Sequence, residues 1–235
     1  MRWDGPPIEA WSPWEPLQAA AALRALSSPW CVVGGWALDL WLGCQTRIHS
    51  DIEITVPRQT LEAVLTVLHP LRPHVVGDGE VVALAPGELP QEGRHQVWML
   101  DAAAAAWRVD IMLEPGDEEV WVYRRDDRLK MPRQRAQSAR SGLPYLNPEL
   151  VLLFKAKSVR DKDRLDYATC APRLDRRQRA SLLGWLRRFY PEHDWILSLE
   201  QMGDASSSAV VDSGLITVAE ELAPGGPARR PSGAK

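Results

Sequence analysis

The chain has 235 residues, of which 45% are hydrophobic and 25% are charged. These values are ordinary for a globular protein and argue against wholesale disorder. The formal net charge of −3 excludes the simplest case for a general nucleic-acid or membrane-surface binder. The positive charge comes from 23 Arg and only 5 Lys, and three of those lysines (Lys155, Lys157 and Lys162) fall within eight residues. Lysine is therefore concentrated in one segment of a chain that otherwise uses arginine.

The cysteines and the absence of targeting patterns indicate a compartment. Three cysteines cannot pair completely, and no C-x-x-C spacing indicates structural zinc. The residues after Met1 lack the apolar core of a signal peptide. No apolar stretch approaches the ~20 residues that a membrane-spanning helix needs. We therefore expect a soluble, cytoplasmic protein.

The first part of the chain alternates between short strands and helices. Residues 1–29 predict an irregular, proline-rich arm with exposed tryptophans, followed by a helix from residue 17. An apolar strand at 30–33 ends at Gly34-Gly35, and a short helix follows it. The alternating segment Asp51 to Val56 predicts a strand, and Pro57 opens the next helix. Further strands are predicted at 75–76, 81–84, 95–100, 107–114 and 121–123.

The pattern becomes helical after the basic stretch 124–140. Continuous helical spacing predicts helices over 149–168 and 175–189. We expect an α+β fold, with a mixed-sheet core over 30–140 and a helical C-terminal domain over 141–202. Residues 203–235 end in a Ser-, Pro- and Gly-rich segment that predicts a mobile tail.

Three carboxylates share a pattern that is typical of a metal site. Alternation on the strand at 51–56 places Asp51 and Glu53 on one face and the isoleucines on the other. Asp110 lies opposite the apolar set of its own strand. For the first pair alone, the solvated face of an edge strand is the alternative interpretation. If the two strands are neighbours, three carboxylates suit Mg²⁺, in nucleotidyl transfer or in phosphodiester cleavage.

Gly34-Gly35 precedes a helix, where backbone N–H groups can approach a phosphate without obstruction by a Cβ. The order of strand, Gly-Gly, helix, Asp51-x-Glu53 and a later Asp110 resembles the nucleotidyltransferase superfamily of the DNA polymerase β type. The string from Gly34 to Asp39, with Thr46-Arg47 and His49 to Ile54, resembles its antibiotic-modifying branch. That branch comprises the aminoglycoside 2''-adenylyltransferase-like family and its lincosamide nucleotidyltransferase relatives.

The resemblance covers residues 30 to 195 and implies a role for each matching position. Gly34 and Gly35 would hold the triphosphate, with Lys155 reaching its phosphates from the helical half. Asp51, Glu53 and Asp110 would bind Mg²⁺, and Asp110 would ligate the metal or accept the proton of the attacking hydroxyl. Trp36 replaces the serine that the wider superfamily has after the second glycine, and Glu53 replaces the commoner aspartate.

Other charged residues near these motifs keep alternative interpretations. Arg47 either contacts phosphate or pairs with Asp39, and His49 is expected to order its loop through a hydrogen bond. On a continuous helix, Lys155 and Lys162 would share a face, with Lys162 in solvated pairs with Asp163 and Asp166. Lysine suits phosphate as a flexible point charge, which favours Lys155, with Lys157 as the second candidate. The basic residues of 124–140 predict a solvated surface, with an RNA-contacting edge as the minor alternative. These residues are Arg124, Arg125, Arg128, Arg133 and Arg135.

Three functions follow from these patterns. The first is transfer of a nucleoside monophosphate, AMP by resemblance, from Mg²⁺-bound ATP or another triphosphate to a hydroxyl of a small molecule such as an aminoglycoside-like antibiotic. The second is a degenerate, nucleotide-binding member that acts through a protein or RNA partner, as in toxin–antitoxin relatives. The third is a metal-dependent phosphodiesterase. The sequence leaves the acceptor, the preferred base and the oligomeric state open.

Overall fold

The computed structural model describes residues 5–202. Trp3 and the predicted tail at 203–235 therefore lie outside the described residues. The strands are β1 (Cys31–Val32), β2 (Glu53–Pro57), β3 (Arg72–Gly77), β4 (Glu80–Ala83), β5 (Gln96–Asp101), β6 (Ala106–Glu114), β7 (Val120–Val122), β8 (Lys130–Pro132), β9 (Gln137–Arg140) and β10 (Leu143–Leu146). The helices are α1 (Pro16–Ala22), α2 (Gly34–Leu42), α3 (Leu61–Val67), α4 (Arg133–Ala136), α5 (Pro148–Lys155), α6 (Asp161–Cys170) and α7 (Arg176–Phe189). Residues 195–202 are also helical.

The described strands form a mixed eight-stranded sheet in the order β4-β3-β5-β6-β2-β1-β10-β9, and β7 pairs with β8 separately. β2 runs parallel to β6, and β1 runs parallel to β10, while the remaining pairs in the large sheet are antiparallel. The α+β class predicted from the sequence is confirmed. β2 lies between β1 and β6, so the residues of β2 are flanked by backbone on both sides.

Two apolar clusters hold the helices against this sheet. One joins the inward residues of β2, β5 and β6 to α1 and α3, and Ile54 and Ile111 are fully buried in it. The other joins β1 and β10 to α2, α5, α6 and α7, with Leu150 and Leu186 fully buried. The predicted core face of β2 is confirmed, because Ile52, Ile54 and Val56 have no exposed surface.

The N-terminal arm is more tightly packed than the sequence predicts. Trp11 forms a bridge with Trp107 of β6, and its ring lies 5.1 Å from that of Trp98. Trp11 and Trp14 are half-buried, so the expectation of exposed tryptophans is wrong for these two. The arm pairs with β6 through Trp14, whose backbone N–H donates to Arg108 O. Edge-to-face aromatic contacts of this kind add stability beyond the burial of area.

The basic stretch at 124–140 is also more structured than a solvated surface. It contains β8, α4 and β9, and Arg133 is 5% exposed. Its guanidinium forms an ion pair with Glu114 of β6. The predicted solvated surface is therefore wrong for Arg133, because a buried acid on the neighbouring strand draws it inward. Arg128 and Arg135 are exposed, as predicted.

The predicted boundary near residue 140 falls inside the β9–β10 hairpin, whose second strand pairs with β1 of the sheet. The division into an arm, a core and a helical domain stays a prediction. Within residues 5–202, no helix is long and apolar enough to span a membrane.

We expect Leu186→Ala to lower the free energy of unfolding by about 2–5 kcal/mol, because the variant leaves a cavity at a fully buried position of α7. The matched control is Leu197→Ala, since the side chain of Leu197 is 66% exposed. Surface substitutions of this kind change stability by less than about 0.5 kcal/mol. Urea unfolding followed by circular dichroism measures both, and equal losses in the two variants would contradict the packing described for α7.

Candidate active site

Two carboxylates lie side by side on neighbouring strands. The parallel register of β2 and β6 makes Glu53 the direct partner of Asp110, and the Asp110 N–H donates to Ile52 O at 2.9 Å. The prediction that these two strands are neighbours is confirmed. β2 begins at Glu53, so Asp51 lies in the preceding loop and the predicted strand starts two residues too early. The reason is that the ladder with β6 starts at the Glu53–Asp110 pair.

Asp110 is 3% exposed, and its carboxylate accepts a hydrogen bond from a neighbouring strand. Gln96 of β5 donates from Nε2 to Asp110 Oδ2 at 2.5 Å, while Oδ1 has no hydrogen-bond partner among the described residues. Burial raises the pKa of Asp110 well above its usual value, and the charge of Glu53 raises it further. Burial and the charge of Asp51 likewise raise the pKa of Glu53. Neither acid has an ion-pair partner among the described residues, although the charges of Lys155, Lys162 and Arg160 partly offset the rise in the pKa of Glu53.

Gly34 and Gly35 are positions where a side chain does not fit. Gly34 begins α2 with a positive φ of 65°, and a Cβ there would collide with Glu53 Oε2. A Cβ on Gly35 would collide with the Arg47 guanidinium and with the His49 ring. The carboxylate of Glu53 thus rests directly on the first turn of α2. The Gly-Gly pair predicted to bind phosphate lies against the predicted metal ligand.

Asp39 organises the loop that leads to Asp51. Its Oδ1 accepts hydrogen bonds from Thr46 N at 3.1 Å and from Thr46 Oγ1 at 2.6 Å. Its Oδ2 lies 2.6 Å from His49 Nε2, and the His49 ring stacks on Trp36 at 4.3 Å. The loop-ordering role expected of His49 is therefore confirmed. Because His49 and Thr46 occupy Asp39, the predicted alternative pairing of Arg47 with Asp39 is wrong.

The continuous helix predicted over 149–168 is wrong. α5 ends at Lys155 and α6 begins at Asp161, so Lys155 and Lys162 do not share one helix face. The new helix starts where the Arg160 N–H donates to Asp163 Oδ2 at 3.1 Å. This side-chain acceptor caps the first turn of α6 and stabilises a helix start in the middle of a helix-prone segment.

The break allows Lys155 to meet two buried acids of α6. Its Nζ lies 2.7 Å from Asp163 Oδ1 and 2.9 Å from Asp166 Oδ2. Arg47 binds the same Asp166 with two nitrogens, at 2.8 and 3.1 Å. The predicted solvated pairs of Lys162 with these two acids are wrong, since both acids are buried against Lys155. This network, which we call the Asp166 network, ties the Asp51 loop to the helical half.

A cavity of about 450 Å³ lies between these elements. Gly34, Glu53 and Lys155 line one part of it, and the aromatic residues Trp121 and Phe154 line another. This volume is within the range of small-molecule sites. The cavity brings together predicted residues from the sheet and from the helical half.

The sequence missed two kinds of site residue. Gln96 was not identified, because its contact with Asp110 depends on the register of β5 with β6. Asp163 and Asp166 were assigned to a solvated face, because the helix break was not expected. On a straight helix the two acids would lie about 12 and 16 Å along the axis from Lys155, too far to pair with it, so only the break brings them together.

No group of three His, Cys, Asp or Glu side chains within residues 5–202 is arranged to hold a metal ion. Glu53 is folded onto Gly34, and Asp110 is held by Gln96. The donor chemistry nevertheless fits Mg²⁺, which prefers carboxylate oxygens, and Asp110 Oδ1 is a buried oxygen without a donor. The assignment of Asp51, Glu53 and Asp110 as metal ligands stays a prediction.

Residues 17–123 match the family model described as aminoglycoside-2''-adenylyltransferase. This segment is therefore similar to aminoglycoside-2''-adenylyltransferases. The matched segment contains Gly34, Glu53 and Asp110, so the resemblance found in the sequence is confirmed over the residues that form the carboxylate pair. No curated protein sequence matches the chain significantly.

Two solved structures show the extent of the structural likeness. The lincosamide antibiotic adenylyltransferase LnuA, with lincomycin bound, is 16% identical, with a TM-score of 0.45 over 65% of this chain and 91% of the other. ANT(2")-Ia in complex with adenylyl-2"-tobramycin is 18% identical, with a TM-score of 0.44 over 72% of this chain and 93% of the other. Both TM-scores are below 0.5.

We expect Gly34→Ala to destabilise the enzyme more than Gly79→Ala does. Both glycines have a positive φ, of 65° and 78°, but a Cβ on Gly79 meets open space while one on Gly34 meets Glu53. Each variant therefore carries backbone strain of about 1–3 kcal/mol, and only Gly34→Ala adds a collision. In a Glu53→Ala background the excess cost of Gly34→Ala should shrink. An unchanged excess, measured by urea unfolding, would contradict the contact between Glu53 and Gly34.

We expect Asp166→Asn to cost about 3–5 kcal/mol at pH 7, since the variant leaves Lys155 and Arg47 without this buried acid. Burial alone would raise the pKa of Asp166, but the hydrogen bond from Arg47 and the charge of Lys155 outweigh burial and lower it. The depressed pKa stabilises the folded state above the pKa of an unfolded Asp, about 3.9. That stabilisation is lost as the pH falls through the folded pKa.

Below about pH 4, wild-type stability should therefore fall more steeply with decreasing pH than the stability of Asp166→Asn. Urea unfolding at pH 7, 4 and 3 measures this difference. Asp127→Asn is the control, because Asp127 is exposed. Parallel pH profiles for wild type and Asp166→Asn would show that the Asp166 network does not act as described.

Proposed function

We propose that the enzyme transfers a nucleoside monophosphate, AMP in the first instance, from Mg²⁺-bound ATP or another nucleoside triphosphate to a hydroxyl of a small molecule. The observation that carries this proposal is the Glu53–Asp110 pair, in register across β2 and β6 and beside the Gly34 turn. The family match supports an antibiotic of the aminoglycoside type as the first acceptor to test. The cytoplasm is the compartment we propose.

We propose that the three carboxylates bind the metal and act on the attacking hydroxyl at the reacting phosphate. Asp51, Glu53 and Asp110 would hold Mg²⁺, which when bound supplies Lewis-acid neutralisation of phosphate charge. Gln96 fixes Asp110 through Oδ2, so the remaining oxygen, Oδ1, is the one available to ligate the metal or to accept the proton of the attacking hydroxyl.

The cleft walls are proposed to position the nucleotide. Gly34 and Gly35 would place the first turn of α2 against the triphosphate, where backbone N–H groups and the helix dipole favour an anion. Phe154, which is half-buried, offers apolar surface for a flat base. Arg47 and Lys155, both predicted to bind phosphate, contact Asp166 and so position the Asp51 loop next to the cleft. Holding both substrates in one orientation supplies much of the rate in such transfers.

We expect Asp51→Ala to abolish Mg²⁺-dependent pyrophosphate release, because the variant removes one of the three proposed metal ligands. A fall of at least ~100-fold is expected for the loss of a group that stabilises transition-state charge. Asp127→Ala, at an exposed position outside the cleft, is the matched control. The assay couples pyrophosphate release to a phosphate sensor, with ATP and a panel of hydroxylated acceptors that includes aminoglycosides.

Wild-type-like release by a folded Asp51→Ala variant would refute the metal role. If the wild type binds ATP but releases no pyrophosphate with any acceptor, the degenerate, partner-dependent function is favoured instead. Metal-dependent cleavage of phosphodiesters without any preference for a triphosphate would favour the phosphodiesterase. Circular dichroism of each variant separates loss of activity from loss of fold.

A further inference from the structure

The cations of the cleft divide into those held by acids and those without one. Lys155 is held by Asp163 and Asp166, and Arg160 donates from Nε to Asp163 Oδ2 at 2.8 Å. A cation between two carboxylates has little charge left to offer a phosphate. The positive charge that meets a bound triphosphate must therefore come largely from elsewhere in the cavity wall.

Arg124 is the cavity-lining cation that best meets this need. It is half-buried, and no acid within the described residues pairs with it. The nearest acid in sequence, Asp126, binds Arg128 at 2.5 Å and lies 3.8 Å from Arg188. Burial and the charge of Arg125 lower the pKa of Arg124, and no carboxylate acts in the opposite direction. Burying an arginine without an anion is costly, and a bound anion removes that cost.

The surroundings of Arg124 are also cationic. Arg125 lines the same cavity and donates to neutral oxygens, to Phe154 O at 2.8 Å and to Tyr190 Oη at 3.3 Å. Lys157, on the stretch between α5 and α6, lines the cavity and is exposed. Burial, with a smaller contribution from the charge of Arg124, lowers the pKa of His95. Arg124, Arg125 and Lys157 thus form a positively charged wall, which we call the Arg124 wall.

We propose that the Arg124 wall is an anion subsite that binds the polyphosphate chain of the nucleotide, with Arg124 as its main contact. A guanidinium offers paired N–H donors that match phosphate oxygens, and such charge-assisted bonds are among the strongest in proteins. The subsite lines the same cavity as Gly34 and Glu53. The inference rests on the proposed function in assigning the anion to a nucleotide, but binding to the subsite does not require turnover.

The test is calorimetric titration of inorganic triphosphate into the full chain, without metal and at fixed ionic strength. We expect Arg124→Gln to weaken binding roughly 10- to 100-fold, the range for a lost hydrogen bond to a charged group. Lys157→Gln should weaken it less, because Lys157 is exposed. Arg124→Lys should retain part of the affinity, because it keeps the positive charge. Arg135→Gln is the control, since it makes the same charge change at an exposed position outside the cavity, and it should bind triphosphate as the wild type does.

Parallel titrations with ATP and adenosine test whether the anion bound by the subsite is the triphosphate of a nucleotide. We expect Arg124→Gln to weaken the binding of ATP by about the same factor as the binding of triphosphate. The affinity for adenosine should not change. Wild-type affinity of folded Arg124→Gln for triphosphate would overturn the proposal, and so would an equal loss in Arg135→Gln. Arg124-dependent binding in a wild-type protein that releases no pyrophosphate would leave the subsite standing while refuting the proposed function.

Discussion

The parallel register of β2 and β6 is the constraint on which the site depends. It places the carboxylates of Glu53 and Asp110 opposite one another, where burial raises both pKa values. The charge of Glu53 raises the pKa of Asp110 further, and the charge of Asp51 does the same for Glu53. An arrangement of this kind costs stability in the absence of a cation, and groups with such shifted pKa values cluster at functional sites. The opposite faces of the same strands hold Ile54 and Ile111 in the core, so the acids cannot move without moving the sheet.

The Asp166 network fixes the loop that precedes Glu53 against the helical half. Arg47 and Asp166 are 119 residues apart in sequence, and their two hydrogen bonds hold the Asp51 loop against α6. Lys155 joins the same acid from α5. Three segments are thus connected through one buried carboxylate, and the cavity lies where they meet. The result is a cleft with carboxylates along the sheet and, within residues 5–202, cations without an acidic partner at the Arg124 wall.

The sequence predicted the parts of the site that follow from local pattern. Alternation in β2 identified Glu53, and the order of the motifs placed Asp110 on a neighbouring strand. The helix break between Lys155 and Asp161 was missed, because the residues around it favour a helix. The break depends on the hydrogen bond from the Arg160 N–H to the Asp163 side chain, which helix propensity does not include. Gln96 was missed because only the register of two strands brings it to Asp110. The ion pair between Arg47 and Asp166 was missed because it depends on distances in the folded protein, which the spacing of residues in the sequence does not give.

The most direct test of the account is a crystal structure of the enzyme with Mn²⁺ and a non-hydrolysable triphosphate. Anomalous scattering locates the metal independently of any model of the ligand. The account predicts a metal peak bounded by Asp51, Glu53 and Asp110, with the triphosphate between the first turn of α2 and Arg124. A metal bound away from Glu53 and Asp110, or a triphosphate outside the cavity that Glu53 lines, would contradict it.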